Sequence, residues 1–165
     1  MLGSRAHIKA RLGELVRVRA VVIMDLGAGR ARGFSLGGRP ELEPRLRELL
    51  APLEPLGVLR FTPEAFYGTD NFYFLTQGIP NLVVNQDLAE YVKHYHSNTD
   101  NLERVDRREA LLNSAIFAIT AYALADAPGP IGPRLGKEQV LRILHPQPHA
   151  LQLARASGVN LTIDT

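Results

Sequence analysis

Three stretches of the chain hold side chains whose types and spacing could do chemistry. His94-Tyr95-His96 brings two imidazoles within three residues. On a strand, positions 94 and 96 face the same way and a two-histidine metal site is conceivable; in a loop, one of them alone points inward. Asp25 closes an apolar run, and the C-terminal ends of strands are where open α/β sheets place ligands. A carboxylate there needs a cation, an arginine or backbone N–H groups, and an Asp bonded to turn N–H groups is the simpler alternative. Gly27-Ala28-Gly29 follows the same run, but a dinucleotide fingerprint would need its third glycine where Arg32 stands, and no clear helix follows. The expectation is a flexible turn. His7, His145 and His149 are expected to be solvated. There is no cysteine, hence no disulfide, thiolate site or Cys nucleophile, and no G-x-S-x-G nucleophile elbow.

Elements must position these residues. Residues 4–15 carry Ala6, Ile8, Leu12 and Leu15 on one helical face, with Ser4 as candidate N-cap. Residues 18–25 are nearly continuously apolar and β-branched, a strand buried on both faces. A short strand around Phe34 and a helix over 41–53, with Pro44 in its first turn, follow. Residues 58–61 read as a strand. Thr69 is positioned to cap a helix over 70–77 that Gly78 stops, and 80–85 read as a second buried strand. Asp106, paired with Glu109, opens a long helix running to about 125. Past Pro128 prolines crowd, with one short helix possible over 137–144. The division is a body over 1–127 and a Pro-rich tail over 128–165. Strands alternating with helices imply an α/β layer architecture.

Composition sets bounds. The 165 residues suit one domain with a real core; hydrophobic residues are 45% and charged residues 22%. The formal charge is +2, 16 of 19 basic residues are Arg, and no basic stripe stands out, so nucleic acid is not an expected partner. No apolar run reaches the roughly 18 residues of a membrane span, and the N-terminus is not a signal peptide, so compartment stays open and no membrane association is expected.

Taken in order, Gly3-Ser4-Arg5-Ala6, Met24-Asp25-Leu26-Gly27, Gly68-Thr69-Asp70-Asn71-Phe72, Gly78-Ile79-Pro80 and Tyr95-His96-Ser97 with Asp100 resemble the C-terminal half of the zinc aminopeptidases of metallopeptidase family twenty-eight. That superfamily includes bacterial leucyl aminopeptidases, glutamate carboxypeptidases and the transferrin receptor. The resemblance covers about residues 1–127. It implies a partial mixed sheet flanked by helices, the C-terminal half of a zinc-exopeptidase (phosphorylase/hydrolase-like) fold, and peptide substrates. It implies two zinc ions held by a His in an H-x-D motif, a bridging Asp, a Glu from a Glu-Glu pair, a strand-end carboxylate and a late His. Asp25 matches the strand-end carboxylate and His96 the late His; His94 has no counterpart. Asp70 falls beside the site with a supporting role, and Gly68 and Thr69 border the cleft.

The departures are as informative. This chain has no H-x-D motif, no bridging Asp before Asp25, and no Glu-Glu pair to supply the general base. In the family pattern Gly3-Ser4 follows that pair closely, so the chain is expected to begin just after it. Asp25 and His96 would then be one ligand for each of two ions, where zinc takes three or four. The expectation is a fragment of a zinc aminopeptidase, inactive alone and self-associating through exposed strand edges. A non-catalytic interaction module on the same fold is the second reading, and a nucleotide-binding α/β domain the remote third.

Overall fold

A computed structural model describes residues 1–156. Its centre is a four-stranded mixed sheet in the order β1-β4-β2-β3. The strands are β1 (Val21–Ile23), β2 (Ala31–Ser35), β3 (Phe61–Thr62) and β4 (Asn81–Gln86). β4 runs parallel to β1, with Val22 opposite Leu82, and antiparallel to β2, with Phe34 opposite Val84. β2 and β3 are parallel. The partial mixed α/β sheet expected from the sequence is therefore present.

Period-two alternation splits the sheet's side chains between two cores. Leu82 and Val84 of β4, Phe34 of β2 and Val22 of β1 belong to one, against Leu42, Leu46, Leu50 and Leu53 and against Ile116 and Leu124 of the long helix α5 (Arg107–Asp126). Val21 joins the other, against Ile8 of α1 (Leu2–Ala10) and Phe72, Tyr73 and Leu75 of α3 (Asn71–Thr76). β4, with partners on both edges and helices on both faces, is buried at five of its six residues, as its continuous apolar run implies.

Several elements differ from expectation for identifiable reasons. The first helix starts at Leu2, so Ser4 lies in its first turn instead of capping it, and a 3-10 turn over Leu12–Arg17 continues it. The expected strand over 18–25 shrinks to a three-residue ladder, Val21 to Ile23, paired with Asn81 to Val83 of β4. The second helix breaks into α2 (Glu43–Leu49) between two 3-10 turns, the second of which holds Pro52 and Pro55, since proline removes an N–H and clashes with the preceding turn. The third strand falls at Phe61–Thr62, later than 58–61. The cap expected of Thr69 does not form: Asp70 is the N-cap residue of α3 and makes no capping bond, while Thr69 Oγ1 donates to Asn71 Oδ1 at 2.7 Å. Asp106 does cap α5, accepting from Glu109 N–H at 2.9 Å.

Beyond Pro128 the chain returns to the body. Leu135 N–H donates to Gly78 O at 2.9 Å. α6 (Lys137–Leu144) and a further helix, α7 (Pro148–Ala156), place Val140, Leu144, Ala150 and Ala154 in the second core. Gly78 makes this closure possible. Its φ is +70°, and a Cβ there would meet Leu135 O at 2.0 Å. Gly78→Ala is expected to cost more than about 2 kcal/mol, whereas Gly57→Ala, at a similar φ of +69° in open space, costs about 1 kcal/mol. Chemical denaturation of the two variants reads the difference; equal losses would mean that the Gly78–Leu135 approach is not needed.

Candidate functional site

Asp25 sits two residues past β1, exposed, and makes no hydrogen bond or ion pair with the described residues. The loop behind it is held from inside. Gln86, at the end of β4, donates from Nε2 to Gly27 O at 2.7 Å and Gly29 O at 3.0 Å, and its Oε1 accepts from Leu26 N–H at 3.3 Å. Asn113 of α5 donates from Nδ2 to Gly29 O at 2.8 Å and accepts from Ala31 N–H at 2.9 Å. Both amides are more than nine-tenths buried. The glycines are required by close approach: a Cβ on Gly29 would meet Asp87 O at 2.0 Å, and one on Gly27, at φ +83°, the Tyr91 ring at 2.6 Å. The expected flexible turn is thus a pinned loop, and it leads into β2, not into a helix whose N-terminus could take a pyrophosphate.

The two histidines part company at the end of α4 (Tyr91–His94). His94 turns inward, 16% exposed, with Nε2 3.9 Å from Glu90. Its Nδ1 lies 2.9 Å from Thr99 Oγ1. Ser97 Oγ donates to His94 O at 2.7 Å and lies 2.7 Å from Thr99 Oγ1. Ser97 has one hydroxyl proton, so Thr99 must donate to Ser97, and His94 Nδ1 must then donate to Thr99. The ring is committed to building the turn.

His96 is the reverse. It is exposed, makes no hydrogen bond with the described residues, and stacks on Tyr95 at a 3.8 Å centroid separation. Ser97 N–H donates to His94 O at 3.0 Å. Tyr95 has φ −48° and ψ 124°, and His96 has φ +53°. That is a type II turn with histidine at the position glycine normally occupies, a strained conformation for a residue with a Cβ.

Tyr91 links the two halves. It packs against Gly27 on one side and stands 5.0 Å from the Tyr95 ring on the other. Burial pushes its phenol up from the ordinary value, and Tyr95, Asp25 and Asp100 push it further the same way. Nothing in its spacing singled it out; only the glycine at 27, which leaves room for a ring, is a trace of it in the sequence.

Asp25 shares an open concavity of about 550 Å³ with Asp70, Ser114 and Phe117. Asp70 Oδ1 accepts from Ser4 Oγ at 2.7 Å and pairs with the Met1 ammonium at 2.8 Å. Thr69 is 4% exposed with its hydroxyl engaged inward, while Gly68 is exposed beside the Phe66 ring. His7, His145 and His149 are all exposed. Carboxylate oxygen and imidazole nitrogen are donors zinc accepts, but among the described residues no group of three or more His, Cys, Asp or Glu could hold a metal ion. The donors among the described residues do not complete a metal site.

The family model for peptidase family M28 matches residues 1–121. The chain belongs to peptidase family M28. Among its relatives, carboxypeptidase Q of Rattus norvegicus is 23% identical over 125 residues, covering 76% of this chain and 26% of that protein. Carboxypeptidase Q of Homo sapiens is 24% identical over 106 residues, covering 64% and 22%. The crystal structure of a peptidase M28 precursor from Shewanella amazonensis SB2B superposes with a TM-score of 0.73 at 23% identity, covering 81% of this chain and 30% of that one. The M28 fold is shared, and this chain spans about a quarter of the length of the M28 relatives it matches.

Two outcomes test this geometry. His96→Gly removes the turn strain and is expected to raise stability by about 1 kcal/mol, whereas His96→Ala keeps the strain and gains little; thermal melts of the pair decide, and equal stabilities would mean the turn is unstrained. Asp70 reports on pH. In the 165-residue chain taken by itself, the Met1 ammonium first, then Ser4, holds its carboxyl below the ordinary value. A depressed carboxyl stabilises the fold above its unfolded pKa, and that contribution is lost as pH falls through the folded one. With the side chain 53% exposed, the effect is well under about 1 kcal/mol after screening. Asp70→Asn should flatten the acid limb of a stability–pH profile between about pH 5 and 3; an unchanged limb would place the acid response elsewhere.

Proposed function

We propose that this chain is the C-terminal part of the catalytic domain of a zinc-dependent exopeptidase, with Asp25 and His96 each supplying one donor to a two-metal site. The observation that carries the reading is the presentation of a strand-end carboxylate and a turn-strained imidazole, both without competing partners, on either side of Tyr91. Their order along the chain is the order of the family's last two ligands. A zinc pair held in the completed site would supply an activated water and a Lewis acid for the scissile carbonyl. This chain's part is positional. Gln86 and Asn113 fix the loop that begins at Asp25, the Ser97–Thr99 turn presents His96, and Tyr91 keeps its phenolic proton through neutral pH.

The remaining donors and the general base belong, in this reading, to polypeptide outside this sequence, so the 165 residues alone are proposed to be inactive. The substrate end is proposed to be the free N-terminus, by resemblance to the aminopeptidases. The name of the carboxypeptidase Q relatives favours the opposite end as the second reading. Paired assays with N-blocked and C-blocked dipeptides distinguish the two.

Equilibrium dialysis of the chain against zinc is expected to give weak, substoichiometric binding, and two tightly held ions per chain would overturn the proposed incompleteness. In a longer chain that carries H-x-D, bridging Asp and Glu-Glu motifs ahead of these residues, His96→Ala or Asp25→Ala should cut hydrolysis by about a hundredfold or more, because ligands of one metal clamp act as a unit. His94→Ala should cost far less. Equal loss at His94 and His96 would mean the wrong imidazole has been assigned.

A further inference from the structure

We propose that a concavity at the end of the sheet opposite Asp25 is a binding site for a small oxyanion of phosphate chemistry, held by the guanidinium groups of Arg17, Arg19 and Arg134. The proposal goes beyond the peptidase reading and uses none of its metal donors. Arg19 precedes β1 and Asp25 follows it, so the residues that lead into the strand lie at its far end from the candidate site. A concavity of about 390 Å³ opens there between three stretches of chain: residues 15–19 entering β1, Ile79-Pro80 entering β4, and the segment 129–134 that leads from α5 back to Gly78. β1 and β4 are paired, so the concavity lies under bonded strands and does not use the outer edge of β1. All three walls belong to this chain, and the third lies past residue 121, where the family match ends.

Three arginines and no Asp or Glu line it. None of the three pairs with an acid among the described residues. Arg19 Nη1 donates to the carbonyls of Ala127 and Gly129, Arg134 Nε donates to Gln77 O at 2.6 Å, and the Arg17 side chain makes no hydrogen bond there. Carbonyl bonds orient a guanidinium without neutralising it, and its other N–H donors stay available. The apolar wall supplied by Leu15, Val18, Ile79 and Pro130 concentrates the field of these charges. A fourth guanidinium stands behind the wall. Arg39 is 2% exposed; its Nε donates to Glu41 Oε1 at 2.8 Å, and its Nη1 and Nη2 have no hydrogen-bond partner among the described residues. Gly132, which lines the concavity, packs directly on it: a Cβ there would stand 3.1 Å from Arg39 Nη2. Glu41 is 56% exposed, so water screens the acid more than the buried cation, and positive potential is left over beside the concavity. A lone carboxylate offers one charge and two acceptor oxygens. A phosphate group carries about −1.5 to −2 near neutral pH with three strong acceptor oxygens, and guanidinium forks match it bidentately.

Calorimetric titration of the metal-free 165-residue chain with inorganic phosphate, at constant ionic strength against chloride, tests the proposal. The expected result is one saturable site per chain with a Kd of about 1 mM or tighter. Arg17→Gln and Arg134→Gln should each weaken it by about tenfold, whereas Arg108→Gln, on α5 outside the concavity, should leave it unchanged. A phosphate monoester titrated in parallel separates two sources of the same group: tighter binding than inorganic phosphate assigns a phosphorylated small molecule, weaker binding the free ion. Absence of saturable binding overturns the proposal, and binding indifferent to both arginine substitutions overturns it equally, as an adventitious ion only. Shifts of the Nε–Hε resonances of Arg17, Arg19 and Arg134 during the titration need no variant, so they decide even if a substitution fails to fold. With metal absent and Asp25 and His96 untouched, failure here leaves the peptidase reading standing.

Discussion

The buried side-chain amide of Gln86 is the interaction on which the candidate site depends. A chain leaving a parallel strand through Gly27-Ala28-Gly29 has no intrinsic reason to hold one path. Gln86 supplies it by bonding Leu26, Gly27 and Gly29 at once, and Asn113 closes the far side on Gly29 and Ala31. These bonds stabilise modestly when made, but each carbonyl stripped of its donor inside the fold costs about 1–3 kcal/mol. The clamp therefore ties three elements together. β4 carries Gln86, α5 carries Asn113, and the loop they grip starts at Asp25. Moving β4 or α5 moves the carboxylate.

What was legible in the sequence is what local chemistry decides alone. Asp106 and Glu109 announce the start of α5, Gly78 announces the end of α3, and Pro44 marks a first turn, because caps, left-handed stops and fixed φ act within a few residues. The strand over 80–85 was legible because burial on both faces leaves no polar alternation, whereas the 18–25 run, expected to be buried on both faces, gives a three-residue strand that is only half-buried. The ordered motifs made the family legible, and its model matches residues 1–121.

What was not legible depends on partners distant in sequence. The ladder that defines β1 pairs Val21 to Ile23 with Asn81 to Val83, sixty residues away. Residues 128–156 read as a tail by proline content, yet Leu135 meets Gly78 because that glycine lacks a Cβ, and α7 reaches the second core through Ala150 and Ala154, residues too small to mark a hydrophobic stripe. Thr69 carries a good capping residue type, but its hydroxyl is turned to donate to Asn71 Oδ1 and Asp70 takes the N-cap position. Tyr91 is invisible until Gly27 and Tyr95 are seen on either side of it.

The distribution of strain argues for the order in which this chain acquires its properties. His96 is the one non-glycine residue with positive φ among those described. Left-handed backbone on a residue with a Cβ persists only where neighbours over-determine it. Here they do: the His94–Thr99–Ser97 network and the Ser97 amide fix the turn on both sides, and Tyr95 stacks on the ring. Every group that enforces the strain lies within six residues, and every group that pins the Asp25 loop lies within this chain. In the proposed reading, the presentation of Asp25 and His96 as donors therefore rests on contacts within these residues. Completion of a metal site is a separate matter of donor number. In the proposed reading that separation lets the scaffold hold its two ligands ready at the cost of one strained turn, while catalysis waits on residues that other polypeptide must bring.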